Sequence, residues 1–331
     1  MKNDIITLNR PPKITACYSV VGHMEKKGPL GKLFDEYSDD DKFGKDTWEK
    51  AESEMQYRAI SGAIKRAGLT QNDIELLLAG DLLNQCVGSN YAITNFDISY
   101  LGLYGACSTC AEGLCIGACL YSGGIIDVCT TVTSSHYCSS ERQFRFPLEY
   151  GGQRPPTAQW TTTGSGAFVL SAEGKVKITE VLFGKAIDKG VTDINNMGAA
   201  MAPAAIDTLT RYFQNSAHSP KDFDKIITGD LGYEGSEILK DLLLGQGIDI
   251  RKNHMDCGLM IFEREAQDVH AGGSGCGCSA VVMAADIIPK MERGELRNVL
   301  FLGTGALMSP ITLFQGGSIP GICHLTHLCI E

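Results

Sequence analysis

Two stretches decide the fold: Asp73-Ile-Glu-Leu-Leu-Leu-Ala-Gly-Asp81, and Asp222-Phe-Asp-Lys-Ile-Ile-Thr-Gly-Asp230. Each runs from an acid through apolar residues to Gly-Asp, so the chain carries an internal repeat. A helix is expected before each. The first spans 47–67, with Trp48, Ala51, Met55, Ala59 and Ala63 on one stripe at helical spacing. The second spans about 197–213 and is rich in small residues. A short polar loop, at Thr70 or Ser219, leads each helix into its strand.

The repeat continues downstream. Gly105-Ala-Cys-Ser-Thr109 opens a small, apolar segment to Ser122, Gly123-Gly124 turns, and Ile125 to Val132 reads as a buried strand. In the second half Gly272-Gly-Ser-Gly-Cys-Gly-Cys-Ser279 opens a helix to Met291, Arg293-Gly294 turns, and Val299 to Leu302 is a strand entering Gly303-Thr-Gly-Ala306. Continuous apolar strands alternating with helices predict a mostly parallel sheet covered on both faces. Two α/β halves are expected, 1–170 and 171–331. Sites in such folds lie beyond the carboxyl ends of the strands. That places Gly80-Asp81, Ser134-Ser135-His136, Gly229-Asp230 and Gly303-Thr304 around one pocket. An insertion, Glu141 to Trp160, differs in character: it holds Arg142, Arg145, Arg154, Phe144, Phe146, Tyr150, Trp160 and three prolines. It reads as an excursion over the pocket, a subunit contact or a packed surface loop.

Composition narrows the function. The chain has 331 residues, 44% of them hydrophobic, enough for a full core. A net charge of −10 with no basic run argues against nucleic acid as a partner. No apolar stretch is long enough to span a bilayer, and Met1 to Pro12 has no signal-peptide core, so an intracellular protein is expected. The 13 cysteines then read as mostly reduced core residues.

Gly105-Ala-Cys107-Ser-Thr resembles the nucleophile turn of thiolases and ketoacyl synthases, and Thr162-Thr-Gly-Ser-Gly-Ala-Phe-Val-Leu170 resembles the glycine-rich strand closing their first half. The resemblance implies a thiolase-like α/β fold, two duplicated halves stacked as α-β-α-β-α layers, and dimerisation through the central sheet. A narrower set of motifs is similar to the stage V sporulation protein AD family: Leu76-Leu-Leu-Ala-Gly-Asp-Leu-Leu-Asn-Gln85, Glu141-Arg-Gln-Phe-Arg145, Glu149-Tyr-Gly-Gly-Gln153, Met201-Ala-Pro-Ala-Ala205 and Ala271-Gly-Gly-Ser-Gly-Cys276. That resemblance implies a protein of endospore-forming bacteria that binds dipicolinic acid (pyridine-2,6-dicarboxylic acid) and is needed for its movement into the spore. It implies no turnover. It also implies partners in a spore uptake complex, including membrane proteins, and peripheral association with the spore inner membrane.

Chemically, Cys107 precedes a helix, whose free N–H groups and partial positive charge lower a thiol's pKa and suit an oxyanion or carboxylate. Acyl transfer needs a base as well. The loop where related ketosynthases carry a histidine reads Gly229-Asp230-Leu-Gly-Tyr233, and the one where they carry an asparagine reads Ala271-Gly-Gly273-Ser274. His136 and His270 are the available substitutes, although a lone histidine is more often a packed or exposed polar residue than a catalyst. Asp81 and Asp230 either face one pocket as paired carboxylates or cap the turns after them. The Cys107-Ser-Thr-Cys110 spacing fits a redox pair or half a zinc site only without its context, since no second ligand pair follows. The glycines at 272–277 match no nucleotide motif but suit an anion nest or close packing.

Three readings remain. The first is a binding protein for the diacid, held by Asp81, Cys107, Ser134, Ser135, His136, Asp230, Gly273 and Ser274. It needs no cofactor or metal of its own, although calcium is a conceivable companion of the ligand. The second is an acyl-CoA-dependent enzyme using Cys107 and His136. The third is a scaffold docking membrane proteins through 141–160.

Overall fold

A computed structural model describes residues 4–144 and 154–330. The strands are β1 (Ile6–Thr7), β2 (Lys13–Val21), β3 (Glu36–Tyr37), β4 (Leu76–Gly80), β5 (Tyr100–Leu103), β6 (Cys129–Ser135), β7 (Trp160–Thr161), β8 (Gly164–Ser171), β9 (Val176–Leu182), β10 (Lys225–Thr228), β11 (His254–Asp256), β12 (Gly273–Ser274), β13 (Asn298–Ala306) and β14 (Gly321–Cys329). The main ladder runs β5-β4-β6-β8-β2 and then β9-β14-β13-β10-β11. Each half lays its five long strands in the order third, second, fourth, fifth, first. The repeat read from the two Gly-Asp stretches is therefore a repeat of topology.

The sheet is mixed, not mostly parallel. β4 pairs in parallel with β5 and β6, and β10 with β11 and β13, but β8 runs antiparallel to β6 and β2, and β14 antiparallel to β13 and β9. β8 is buried along its whole length and β14 along most of it. A strand covered on both faces lacks the in-out alternation that would mark an antiparallel strand, so pattern does not reveal its direction. The strand expected at 125–132 begins later, at Cys129, because Ile125 lies in the exposed turn.

The helices are α1 (His23–Lys26), α2 (Trp48–Arg66), α3 (Val87–Ile93), α4 (Thr109–Ser122), α5 (Tyr137–Phe144), α6 (Met197–Asn215), α7 (Gly232–Gly245), α8 (Cys257–Met260), α9 (Cys276–Val282), α10 (Ile288–Glu292) and α11 (Pro310–Phe314). A π turn, Met283–Ile287, joins α9 to α10. Thr47 caps α2 by accepting the Lys50 N–H, and Ala51, Met55, Ala59 and Ala63 are buried as the stripe requires. The loops after α2 and α6 repeat in detail. Thr70 with Asp73, and Ser219 with Asp222, form matching capping boxes on single 3₁₀ turns.

Five layers result. α2 packs outside the first five strands, and α6 with α7 outside the second five. α4 and α9 lie between, and their side chains share one core with Phe168 of β8 and Phe301 of β13. Glycine permits this approach. A Cβ on Gly277 would lie 2.3 Å from the Gly164 carbonyl oxygen, and one on Gly303 would lie 2.5 Å from the Ala111 methyl.

Candidate functional site

The turn into α4 carries Cys107. Ala106 holds a left-handed backbone (φ 53°), an arrangement that costs a non-glycine residue about 1 kcal/mol or more. Short local bonds hold it. Ser108 Oγ donates to the Gly105 carbonyl at 2.6 Å, Thr109 Oγ1 donates to the Ala106 carbonyl at 2.7 Å, and the Gly105 N–H donates to Thr109 Oγ1 at 3.1 Å. The thiol is thereby presented to a cavity of about 290 Å³ between the halves. Leu82, Tyr104, Ala106, Cys107, Ser140, Glu141, Phe144 and Thr161 line it from the first half. Ile194, Met197, Ser274, Ala306, Leu307 and Met308 line it from the second.

Among the predicted residues, the fold brings Cys107, Ser274 and Asp230 together. Cys107 Sγ lies 3.9 Å from Ser274 Oγ, which donates to Asp230 Oδ2 at 3.0 Å. The Gly275 N–H donates to the same oxygen at 2.9 Å, and Thr304 Oγ1 donates to Oδ1 at 2.9 Å. Gln159 Nε2 donates to the carbonyls of Asp230 and Gly273, at 2.7 and 2.9 Å, tying both loops to the first half. β7 and β12 add a parallel pair, with Trp160 beside Gly273 and Thr161 beside Ser274.

The electrostatics differ from what a helix N-terminus alone predicts. Burial pushes the Cys107 thiol well above its ordinary value, and the neighbouring Asp230 charge pushes it further. Burial also raises Asp230, against four hydrogen bonds that favour its charged form. At neutral pH Cys107 is a thiol, facing a hydroxyl and a carboxyl group rather than an imidazole. Glu141 is the sole charged side chain among the described lining residues, and no Lys, Arg or His lines the cavity there.

The other predicted residues lie behind this wall. Asp81 is fully buried. It accepts the Leu83 N–H at 2.8 Å, and the Ser89 N–H and hydroxyl, both at 2.7 Å, so it fastens the start of α3. Ser134 Oγ donates to Glu52 Oε1 at 2.9 Å and accepts from Gln56 Nε2 at 2.8 Å, within a buried network on α2. Ser135 Oγ donates to the Thr162 carbonyl at 2.7 Å. His136 is fully buried: its Nδ1 accepts the Cys138 N–H at 3.2 Å, so Nε2 carries the proton and donates to the Asp41 carbonyl at 2.6 Å. Burial lowers its pKa, which keeps the ring neutral. His270 contacts the Pro155 carbonyl and Asp268, in a separate surface hollow with Arg264 and Phe262. Of the 141–160 excursion, Glu141 and Phe144 line the cavity, whereas 145–153, with Arg145, Phe146 and Tyr150, lie outside the described residues.

Sequence reasoning missed Ile194, Met197, Leu307 and Met308, which make the apolar wall, and Gln159, which braces the polar one. Ile194, Leu307 and Met308 are isolated apolar residues in loops with no spacing signal, and Met197 reads only as the start of α6. Gln159 lies within the excursion without a motif of its own.

The comparisons with known proteins agree with this architecture. Stage V sporulation protein AD of Bacillus subtilis (strain 168) is 44% identical over 315 residues, covering 95% of this chain and 93% of that protein. Among solved structures, a variant of OleA from Xanthomonas campestris superposes with a TM-score of 0.62 at 14% identity, covering 98% of this chain and 99% of that one. A second OleA variant, bound with cerulenin, gives 0.62 at 14% identity, covering 98% of each chain. At that identity the likeness is one of fold, the thiolase-like fold. The family model for stage V sporulation protein AD matches residues 2–329. The chain belongs to the stage V sporulation protein AD family.

Proposed function

We propose that this sporulation protein binds pyridine-2,6-dicarboxylate in the Cys107 cavity, without turning it over, as part of its uptake into the developing spore. One observation carries the reading: Cys107 is paired with Ser274 and Asp230 instead of an imidazole. Such a thiol lacks the base that acyl transfer requires. A volume of about 290 Å³ equals about ten waters at ~30 Å³ each, ample for a diacid on one aromatic ring. The apolar wall of Ile194, Met197, Leu307 and Met308 suits the ring. The hydroxyls of Ser140, Thr161 and Ser274 suit its carboxyl groups. With Glu141 at the wall and Asp230 behind it, a bare dianion is disfavoured. The ligand enters protonated or with a companion cation, for which calcium is the first candidate.

The rest of the reading concerns assembly. The chain works as a homodimer through the free edge of β5, beside which Leu101, Tyr104 and Tyr91 are exposed. It meets membrane proteins of the same uptake complex at the spore inner membrane. Ile311 and Phe314 of α11, 71% and 79% exposed just beyond the cavity-lining Met308, offer an apolar contact for them. No helix among the described residues is long and apolar enough to cross a membrane.

Isothermal titration with pyridine-2,6-dicarboxylate, with and without calcium, tests the proposal alongside Cys107→Ala and Ser274→Tyr. Saturable binding that the tyrosine blocks is expected. No heat and no thermal protection at millimolar ligand would refute it. A labelled acyl-CoA that loads Cys107 would instead favour an enzyme.

A further inference from the structure

A second constellation lies away from the cavity. Glu180 of β9, His327 of β14 and His218, in the loop after α6, bring one ligand atom each within 4.8 Å of one another. Glu180 and His327 are register partners across the strand pair, where a bulge follows His327. Asn298, which begins β13, lies beside them, whereas Ala306 at the other end of β13 lines the cavity. Eight residues of strand, at about 3.3 Å each, put the two sites about 26 Å apart along it.

The hydrogen bonds leave a particular atom free to coordinate. Asn298 Nδ2 donates to the Asp222 carbonyl at 2.6 Å, which turns its Oδ1 toward His327 Nε2 at 2.5 Å. An amide oxygen accepts, so His327 Nε2 must carry the proton. In the neutral ring Nδ1 then holds a lone pair, and it faces Glu180 Oε2 at 3.3 Å. That oxygen also accepts from the Tyr212 hydroxyl at 2.7 Å. Two acceptors face each other, and only a cation between them makes the contact favourable. The His218 ring packs against Tyr212, Phe223 and His327, and among the described residues it makes no hydrogen bond.

We propose that Glu180, His218 and His327 bind a divalent transition metal ion of the zinc class. Two imidazoles and one carboxylate are a set such ions favour, with water completing the shell. A ligating histidine whose other ring N–H is fixed by a carbonyl is the usual supporting arrangement, and Asn298 supplies it. The ion would pin the loop after α6 to the β9–β14 pair, giving the second half a structural clasp remote from Cys107.

Chelator-stripped full-length protein titrated with Co²⁺, followed by visible absorption, tests this, with Zn²⁺ competition against a chromophoric chelator. One equivalent is expected, with d–d bands and no thiolate charge transfer. Glu180→Gln and His218→Ala should weaken binding at least about 100-fold, and Asn298→Ala about 10- to 100-fold. His218 lies in a loop, so its variant keeps the fold, as circular dichroism would verify. Three results would overturn the proposal: no binding at about 1 mM ion, thiolate charge transfer marking a cysteine site, or affinity unchanged in His218→Ala.

Discussion

Replacing Glu25 by glutamine should change how stability depends on pH. Glu25 of α1 is fully buried. Its Oε1 accepts the Thr163 N–H at 2.9 Å, while Oε2 has no hydrogen-bond partner among the described residues. Burial therefore pushes the carboxyl up to about 8 in the folded chain. The unfolded chain has the ordinary value, near 4.3. Between these values the native state holds a proton that the unfolded state has released. The protonated group's stabilising share is complete below the unfolded value and is lost as pH rises through about 8. At about 1.4 kcal/mol per pH unit, a rise from about pH 5 to pH 8 removes about 4 kcal/mol. Glutamine keeps the acceptor for Thr163 and cannot ionise. Urea unfolding of both proteins at each pH gives the difference between them, and other buried acids, such as Asp256, cancel in it. The wild type should lose about 4 kcal/mol relative to Glu25→Gln across that window. A difference constant with pH, or one that moves in favour of the wild type, would mean that Glu25 is ionised in the fold and that the reasoning is wrong.

Further outcomes follow from the site and its frame. Cys107 should react with iodoacetamide far more slowly than a free thiol at neutral pH, accelerating only in alkali, because burial and Asp230 hold it protonated; mass spectrometry of the tryptic peptide reads this, and rapid labelling at pH 7 would contradict it. His136→Ala should cost about 1–3 kcal/mol by stranding the Asp41 carbonyl and the Cys138 N–H, yet leave ligand affinity within a few-fold; loss of binding in a folded variant would put His136 in the site. Gly277→Ala should lower the melting temperature sharply, since its methyl would lie 2.3 Å from one backbone atom and 2.7 Å from another; a variant as stable as wild type would show that the α9–β8 contact relaxes.

What was legible in the sequence was local. The stripe on α2, the short polar loops at Thr70 and Ser219, and the Gly-Asp strand ends are all written within a few residues of one another. What was not legible depends on distant neighbours. Asp81 and Asp230 end equivalent Gly-Asp motifs, yet one carboxylate meets Ser89 and the other Ser274. His136 reads as a base until its Nε2–H is seen donating to the carbonyl of Asp41, 95 residues earlier, and its Nδ1 accepting the Cys138 N–H. The helix start after Cys107 was visible, but the burial that outweighs it belongs to the assembled halves. The directions of β8 and β14 were hidden for a similar reason, because a strand covered on both faces looks the same either way.

Among the described residues twelve strands form one sheet, and the halves meet in it along β9 alone, where β1 pairs at Ile6 and Thr7 and β2 at Lys13 beside Lys177 and Ile14 beside Val176. In mechanical terms the molecule is two plates tacked at one short seam and riveted through their middle by α4 and α9. Shear between the plates meets little backbone resistance. It meets instead the interlocked side chains and bare glycine contacts of the central layer. The cavity takes one wall from each plate, so its shape is set by how tightly those rivets pack.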